Sequence, residues 1–383
     1  MADPAPRRGF QTPAEVTDFF DQKVLRPAFS WQDVWAQEHA YAFTVAKATE
    51  LELLNTFKAS ISEALAKGQG FETWRKDLLP QLAAIGWDQP KLVDDLTGQQ
   101  PPRMVDFTAP RRLQTIFQAN MATARSAGQW NRAQRTKGGL PYILYVRTSS
   151  AEPRLEHLTW VGLILHVDDP FWQTHWPPNG WGCKCSIRQI TGRERDKLLS
   201  TPPGDGGISY TTDVPDNGPP RIFTNSRTGE VTSVPAGIDP GWGGNPGLDR
   251  AQTLVTRVTQ QLEQASEADA RSAIAAIAAS DMPRVVAGLP DEITVPVALT
   301  PAAVGEQLGS KGPLVVEASN RDIGPSGEFY PQIQPAIDDG SLVVDQPRGT
   351  ASWISRVAGV VRQVFVQAVD RGRRVLLKGF KPV

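Results

Sequence analysis

Residues 200 to 247, "STPPGDGGISYTTDVPDNGPPRIFTNSRTGEVTSVPAGIDPGWGGNPG", constrain the fold of this chain more than any other stretch. Proline fixes φ and offers no N–H, and glycine gives up the most backbone freedom on ordering, so such a run sustains neither a long helix nor a central strand. Its composition is that of a linker or irregular loop, with one short hairpin predicted over "RIFTNSRTGEVTSV". The 33 glycines and 32 prolines of the chain concentrate here. The run divides a chain of 383 residues, which is in any case too long for one core.

Ahead of the run, the first hundred residues read as helices. Thr12-Pro13 is an N-cap and first-turn pair, with Val16, Phe19, Phe20 and Val24 following at helical spacing. Trp31 and Trp35 stand one helical turn apart. Leu54, Phe57, Ile61 and Leu65 form an apolar stripe closed by Gly68, and Phe71, Trp74, Leu78 and Leu82 begin a further helix with an interruption expected near Pro80. Pro110 opens a long helix with Leu113, Ile116, Phe117, Met121 and Ala124 on its buried face, ending before Gly138-Gly139. "YILYVRTS" alternates as a strand, and "CKCSIRQI" is expected to be another. Beyond the run, 248 to 280 reads as helix, with Leu254, Val258 and Leu262 on one face. The last hundred residues hold the β-rich runs "EITVPVAL", "LVVEAS", "SLVVDQ", "RQVFVQAV" and "RVLLKGF", with helices expected at 300–309 and 329–339. The fold class is therefore α+β: a helical N-terminal region and a small mixed α/β core, then a separate small α+β domain.

The formal charge of -1 gives no global pull toward nucleic acid or a membrane surface. No apolar run approaches the roughly 20 residues of a membrane helix, and "MADPAPRRGF" lacks the apolar centre of a secretory signal, so a cytosolic setting is expected. In that setting two cysteines are thiols or metal ligands before they are a disulfide.

Both cysteines stand in "HWPPNGWGCKCSI" as a C-x-C, Cys183 and Cys185. His157, His166 and His175 precede them, with Asp168 and Asp169 in between. Thiolates with imidazole suit zinc best. The expected set is His157, His175, Cys183 and Cys185, closed by four protein ligands, with His166 in reserve. Such a zinc would staple the irregular segment 150–190 to the long helix, where few periodic apolar residues offer ordinary packing. Two other readings stay open: thiols as small buried side chains, and a thiol nucleophile, for which no base-and-orienter motif is visible. Trp160, Trp172, Trp176 and Trp181 read as a small aromatic core, with Pro177-Pro178 and Asn179-Gly180 setting a bend and a tight turn.

The order of these elements resembles a known family. "FETWRKDLLPQLAAIGW" is followed by "RRLQTIFQANMATARSAGQW" with Asn120 and Ala124, then by a strand ending at Arg147, by His157 and Gly162, by "DDPFW" at 168–172 and by "PPNGWGCKC" at 177–185. Over residues 10 to 195 this resembles the phage Mu F-like minor head proteins, within the wider group of phage head morphogenesis proteins. The resemblance implies a minor virion protein of a tailed phage or prophage. It would act in head assembly beside portal or major capsid protein, in the host cytoplasm and then the virion. It implies no catalytic activity.

The C-terminal region, through "FYPQIQPAIDDGSLVV" and the two strands after it, is similar to phage-associated nuclease-like domains of the barnase–EndoU–colicin–RelE type. Ribonucleases of that kind generally use a histidine or other acid–base residues, and this chain has no histidine after residue 196. No catalytic residue is assigned. Arg371, Arg373, Arg374 and Lys378, around the turn "DRGR", are expected to face DNA or RNA phosphates or to protect a strand edge by charge. The resulting division is a helical region at 1–107, the head-morphogenesis core at 108–195, a linker at 196–247, a helical connector at 248–282 and the nuclease-like domain at 283–383.

Overall fold

The computed structural model describes residues 12–383 apart from 35, 204–206, 280–281, 288–292, 325–326 and 373; at 36, 37, 251, 254, 256, 257, 260, 261, 263, 264, 282, 284, 285 and 371 it describes the backbone alone. The one-turn spacing read for Trp31 and Trp35 and the expected place of Leu254 on a helix face therefore fall on residues outside the described ones. The chain forms two compact units, Met1–Arg250 and Ala251–Val383.

The first unit is organised by four helices, α1 (Ala14–Asp21), α2 (Leu51–Lys67), α3 (Phe71–Ala84) and α4 (Pro110–Thr136). The buried side chains of α2, including Leu54, Phe57, Ile61 and Leu65, recur every three or four residues, and Gly68 ends the helix in the left-handed conformation at φ 62°. α3 does not break at Pro80. That residue is exposed, while Trp74, Leu78 and Leu82 are buried on the opposite side, so packing holds the helix across the lost backbone bond. On α4 the buried face continues past Ala124 to Ala127, Trp130 and Ala133. A Cβ at Gly128 would stand 2.5 Å from Val16 Cγ2, so the missing side chain is what lets α1 lie directly on α4.

After α4 comes a three-stranded antiparallel sheet with Tyr142–Val146 in the centre, Ile164–His166 on one side and Ser186–Ile190 on the other. The last strand starts at Ser186, after the cysteines and not at them. Its register sets Ser186 against Val146 and Ile187 against Tyr145, which leaves the C-x-C just beyond the end of the central strand.

The Gly/Pro-rich run is fastened into this unit. Its expected hairpin forms from Arg221–Thr224 and Val231–Val234. At the tip, Arg227 is buried and makes two hydrogen bonds to Asp95, at 2.5 and 3.0 Å, and one to Asp33 at 2.5 Å. Asn225, also buried, donates to the Gln32 carbonyl at 3.0 Å.

The second unit carries a six-stranded mixed sheet in the order 295–299, 315–318, 374–382, 360–369, 350–357, 341–345. All pairs are antiparallel except Val315–Ala318 with Arg374–Pro382. The strand Thr350–Val357, "TASWISRV", adds to the expected set; its Ala351 and Trp353 are buried in alternation with more open residues. The helix Tyr330–Asp338 buries Tyr330, Ile333, Ala336 and Ile337. Its Gln334 bonds both the N–H and the carbonyl of Leu299, at 2.7 and 3.2 Å, and so caps the edge strand. The helical stretch before the sheet is two helices, Pro246–Gln264 and Glu267–Ala278, separated where Ser266 caps the second by accepting from the Asp269 N–H. Among the described residues no helix is long and apolar enough to cross a membrane.

Candidate metal centre

The C-x-C lies in a loop between a bend and a strand. Pro177-Pro178 is joined by a cis peptide bond, and Asn179, wholly buried, begins the turn that delivers Cys183. Trp176 anchors the bend: its Nε1 donates to the Ser126 carbonyl at 3.2 Å, its ring meets Trp130 edge-on at 5.0 Å, and Ser126 Oγ donates back to the Pro177 carbonyl at 2.5 Å. The irregular segment is thus tied to α4 by aromatic packing and backbone bonds. The packing expected to be scarce is present: Trp160, Trp172 and Trp176 are all buried, whereas Trp181 is 41% exposed and stacks edge-on with Trp31 and Trp242.

His157 comes from a single helical turn, Leu155–Leu158, and is buried with its ring stacked on Trp160 at 4.9 Å. Its Nε2 lies 2.8 Å from the Gly237 carbonyl, which can only accept, so Nε2 donates there and Nδ1 is the nitrogen turned the other way. That Nδ1 faces both sulfurs, Cys185 Sγ at 3.4 Å and Cys183 Sγ at 3.7 Å. The three ligand atoms lie within 4.8 Å of one another.

The two thiols are coupled. Cys183 is held well below the usual thiol range, first by the hydrogen bond from Cys185, then by His157 and by backbone groups of Asn179 and Cys185, against the opposing effect of burial. Cys185 is pushed up by the same shared proton and by burial. Tyr145, buried behind Cys185, is raised well above the phenol range by burial and by the neighbouring sulfurs. It donates to Asn179 Oδ1 at 3.2 Å. Chemically, the cluster is a soft donor set: two coupled cysteine sulfurs and an imidazole nitrogen held in place.

His175, the fourth expected ligand, is not in this group. Its Nδ1 is bonded to Thr174 Oγ1 at 2.8 Å and its ring stacks on Phe171 at 4.2 Å. Burial lowers its pKa to about 4, so it is neutral at pH 7. Aromatic packing has taken the side chain that sequence spacing offered to the cysteines. His166, the reserve, is exposed at the end of its strand, where Nδ1 accepts from the Asp168 N–H at 3.2 Å.

Sequence reasoning did not see the residues that frame the cluster. Gly237 comes from the Gly/Pro-rich run, and Asp239, two residues on, clamps the cysteine loop. Asp239 N–H donates to the Asn179 carbonyl at 3.1 Å, while its carboxylate accepts from the Trp181 N–H and from Arg154, each at 2.9 Å. Nothing in the composition of "PAGIDPGW" marks these contacts.

In the second unit, Arg374 pairs with Glu317 at 2.5 Å and with Asp370 at 3.5 Å. Lys378 is exposed, and Arg373 and the side chain of Arg371 lie outside the described residues.

A family model described as "Phage Mu protein F like protein" matches residues 55–188. The chain is 33% identical to "Putative capsid assembly protein F" of Escherichia phage Mu over 249 residues, 61% of this chain and 54% of that protein. It is 37% identical over 163 residues to "Mu-like prophage FluMu F protein" of Haemophilus influenzae, 43% of this chain and 38% of that one. The chain thus spans about half, or less, of the length of these curated relatives. No solved structure matches it. The matched segment runs from α2 to the strand Ser186–Ile190 and contains His157, Cys183 and Cys185. Over residues 55–188 the chain is similar to the Phage Mu protein F like family.

Proposed function

We propose that this chain is a head-assembly protein of a tailed phage or prophage, working beside the portal or major capsid protein and carried in the virion. The observation that supports this is the family match over residues 55–188, which spans α2 to α4, the three-stranded sheet and the C-x-C loop. The similarity to the phage Mu protein, named "Putative capsid assembly protein F", points the same way. The test is a deletion of the gene. Defective or DNA-free heads with continuing DNA replication are expected, and the chain should cosediment with wild-type particles. Normal infectious particles from the deletion would overturn the reading.

Within this role the His157, Cys183 and Cys185 cluster is the proposed seat of one zinc ion, which would fasten the cysteine loop where it meets the 235–242 loop. For the second unit, the proposal is a phosphate-binding edge at Lys378 with Arg371 and Arg373, without hydrolysis, since no histidine follows residue 196. Arg374, the fourth cation of this group, also pairs with Glu317. Binding of the full chain to RNA or DNA should then weaken steeply with salt.

A further inference from the structure

We infer that the metal centre is open: His157 Nδ1, Cys183 Sγ and Cys185 Sγ supply three donors, and the fourth position belongs to an exchangeable external ligand, water in the isolated protein. The inference rests on the zinc reading above and replaces the sealed four-ligand staple that the spacing of the sequence suggests.

The first support is metric. Bonds of about 2.1 Å to nitrogen and 2.3 Å to sulfur at a tetrahedral angle place those donors about 3.6 Å apart. The Nδ1–Sγ distances of 3.4 and 3.7 Å bracket that edge, so a cation fits over the three donors with little rearrangement. The second is orientation. The donation from His157 Nε2 to the Gly237 carbonyl fixes the tautomer and aim of the ring, as the outer partner of a metal-bound histidine does.

The third support concerns the fourth position. Among the described residues no other histidine, cysteine, aspartate or glutamate joins the group. His175 is held by Thr174 and Phe171. Tyr145, on the inner side, commits its hydroxyl to Asn179 Oδ1 at 3.2 Å. The outer side lies toward solvent: Cys183 and Cys185 are only half-buried, and Gly182 and Lys184, which flank Cys183, are exposed. Two thiolates and a neutral imidazole balance a divalent cation, so a neutral fourth ligand such as water completes the site without excess charge. Three protein donors and one exchangeable position are the pattern of sites that bind an incoming group, in contrast to closed structural sites.

Cobalt replaces zinc in such sites and reports their coordination in its visible spectrum. The full chain, stripped with a chelator and titrated with Co2+, should bind one ion. It should show thiolate-to-cobalt charge transfer with tetrahedral d–d bands, and these bands should shift when azide is added. His175→Ala should leave the spectrum and the azide shift unchanged. Cys185→Ser should weaken zinc binding by about tenfold or more, judged against a competing chelator. Should Cys185→Ser fail to fold by circular dichroism, the azide response of the wild-type chain decides alone. A tetrahedral spectrum that azide does not move, and that His175→Ala abolishes, would overturn the open site while keeping zinc. No binding of Co2+ or Zn2+ by the folded wild-type chain would overturn both, and neither result bears on the deletion test of head assembly.

Discussion

The carbonyl of Gly237 accepts a hydrogen bond from His157 Nε2 at 2.8 Å, across 80 positions of sequence, and thereby decides which nitrogen of that imidazole faces the two cysteines. Gly237 sits at φ 80°, and a Cβ there would stand 3.1 Å from atoms of both Glu156 and Trp160. Gly237→Val should therefore displace the carbonyl and lower zinc affinity about 10- to 100-fold, although all three donors remain. Competition with a chromophoric chelator measures this; an unchanged affinity would remove Gly237 from any orienting role.

Trp176 is wholly buried between α4 and the cysteine loop. Trp176→Ala should cost about 3–5 kcal/mol, through the cavity left behind and the lost bond to the Ser126 carbonyl. Denaturant unfolding followed by circular dichroism gives the value. A loss below about 1 kcal/mol would mean that the loop is held by other contacts.

Asp95 and Asp33 both have pKa values below the ordinary carboxylate range. For Asp95 the largest cause is its hydrogen bond to Arg227; for Asp33 the same arginine and backbone N–H donors outweigh burial. Groups lowered on folding add stability that is present above the unfolded carboxylate pKa near 4 and is lost as pH falls through the folded value. The first unit should lose stability below about pH 4, and Arg227→Met should flatten that acid limb. Arg227→Met should also lower the melting temperature more than Lys67→Ala, which breaks only the exposed pair with Glu63. Parallel acid titrations of both variants test the point, and an unaltered acid limb in Arg227→Met would refute it.

Lys23 is buried, with Nζ donating to the His39 carbonyl at 2.7 Å. Burial, then the charge of Arg250, push its pKa down to about 7. Unfolded lysine titrates near 10.4, so between about pH 7 and 10 the unfolded chain holds a proton that the folded chain has released. Stability should rise with pH across that window. Lys23→Met should remove this contribution and be most stabilising at or below pH 7. Unfolding midpoints at pH 7, 8 and 9 check the sign, and identical slopes for both proteins would contradict it.

Periodicity made much of the fold legible in the sequence. The stripes on α2 and α4, Gly68 as a helix stop, the hairpin around Arg227 and five of the six strands in the C-terminal sheet follow from spacing and turn chemistry, which are local. The strand Thr350–Val357 and the passage of α3 through Pro80 were set by burial against neighbours, which local propensity does not encode.

At the candidate site, the sequence by itself determined the chemical inventory. Two cysteines one residue apart, with histidines upstream, make a soft donor set wherever the chain folds. Only the tertiary structure decided which histidine joins them. His157 and His175 are the same side chain on short helical turns, but one ring is turned toward the sulfurs by a carbonyl from the Gly/Pro-rich run, and the other is stacked on Phe171. Metal-ligand choice depends on ångström-scale placement of atoms far apart in the chain, whereas sequence spacing bounds only the contacts that are near in it.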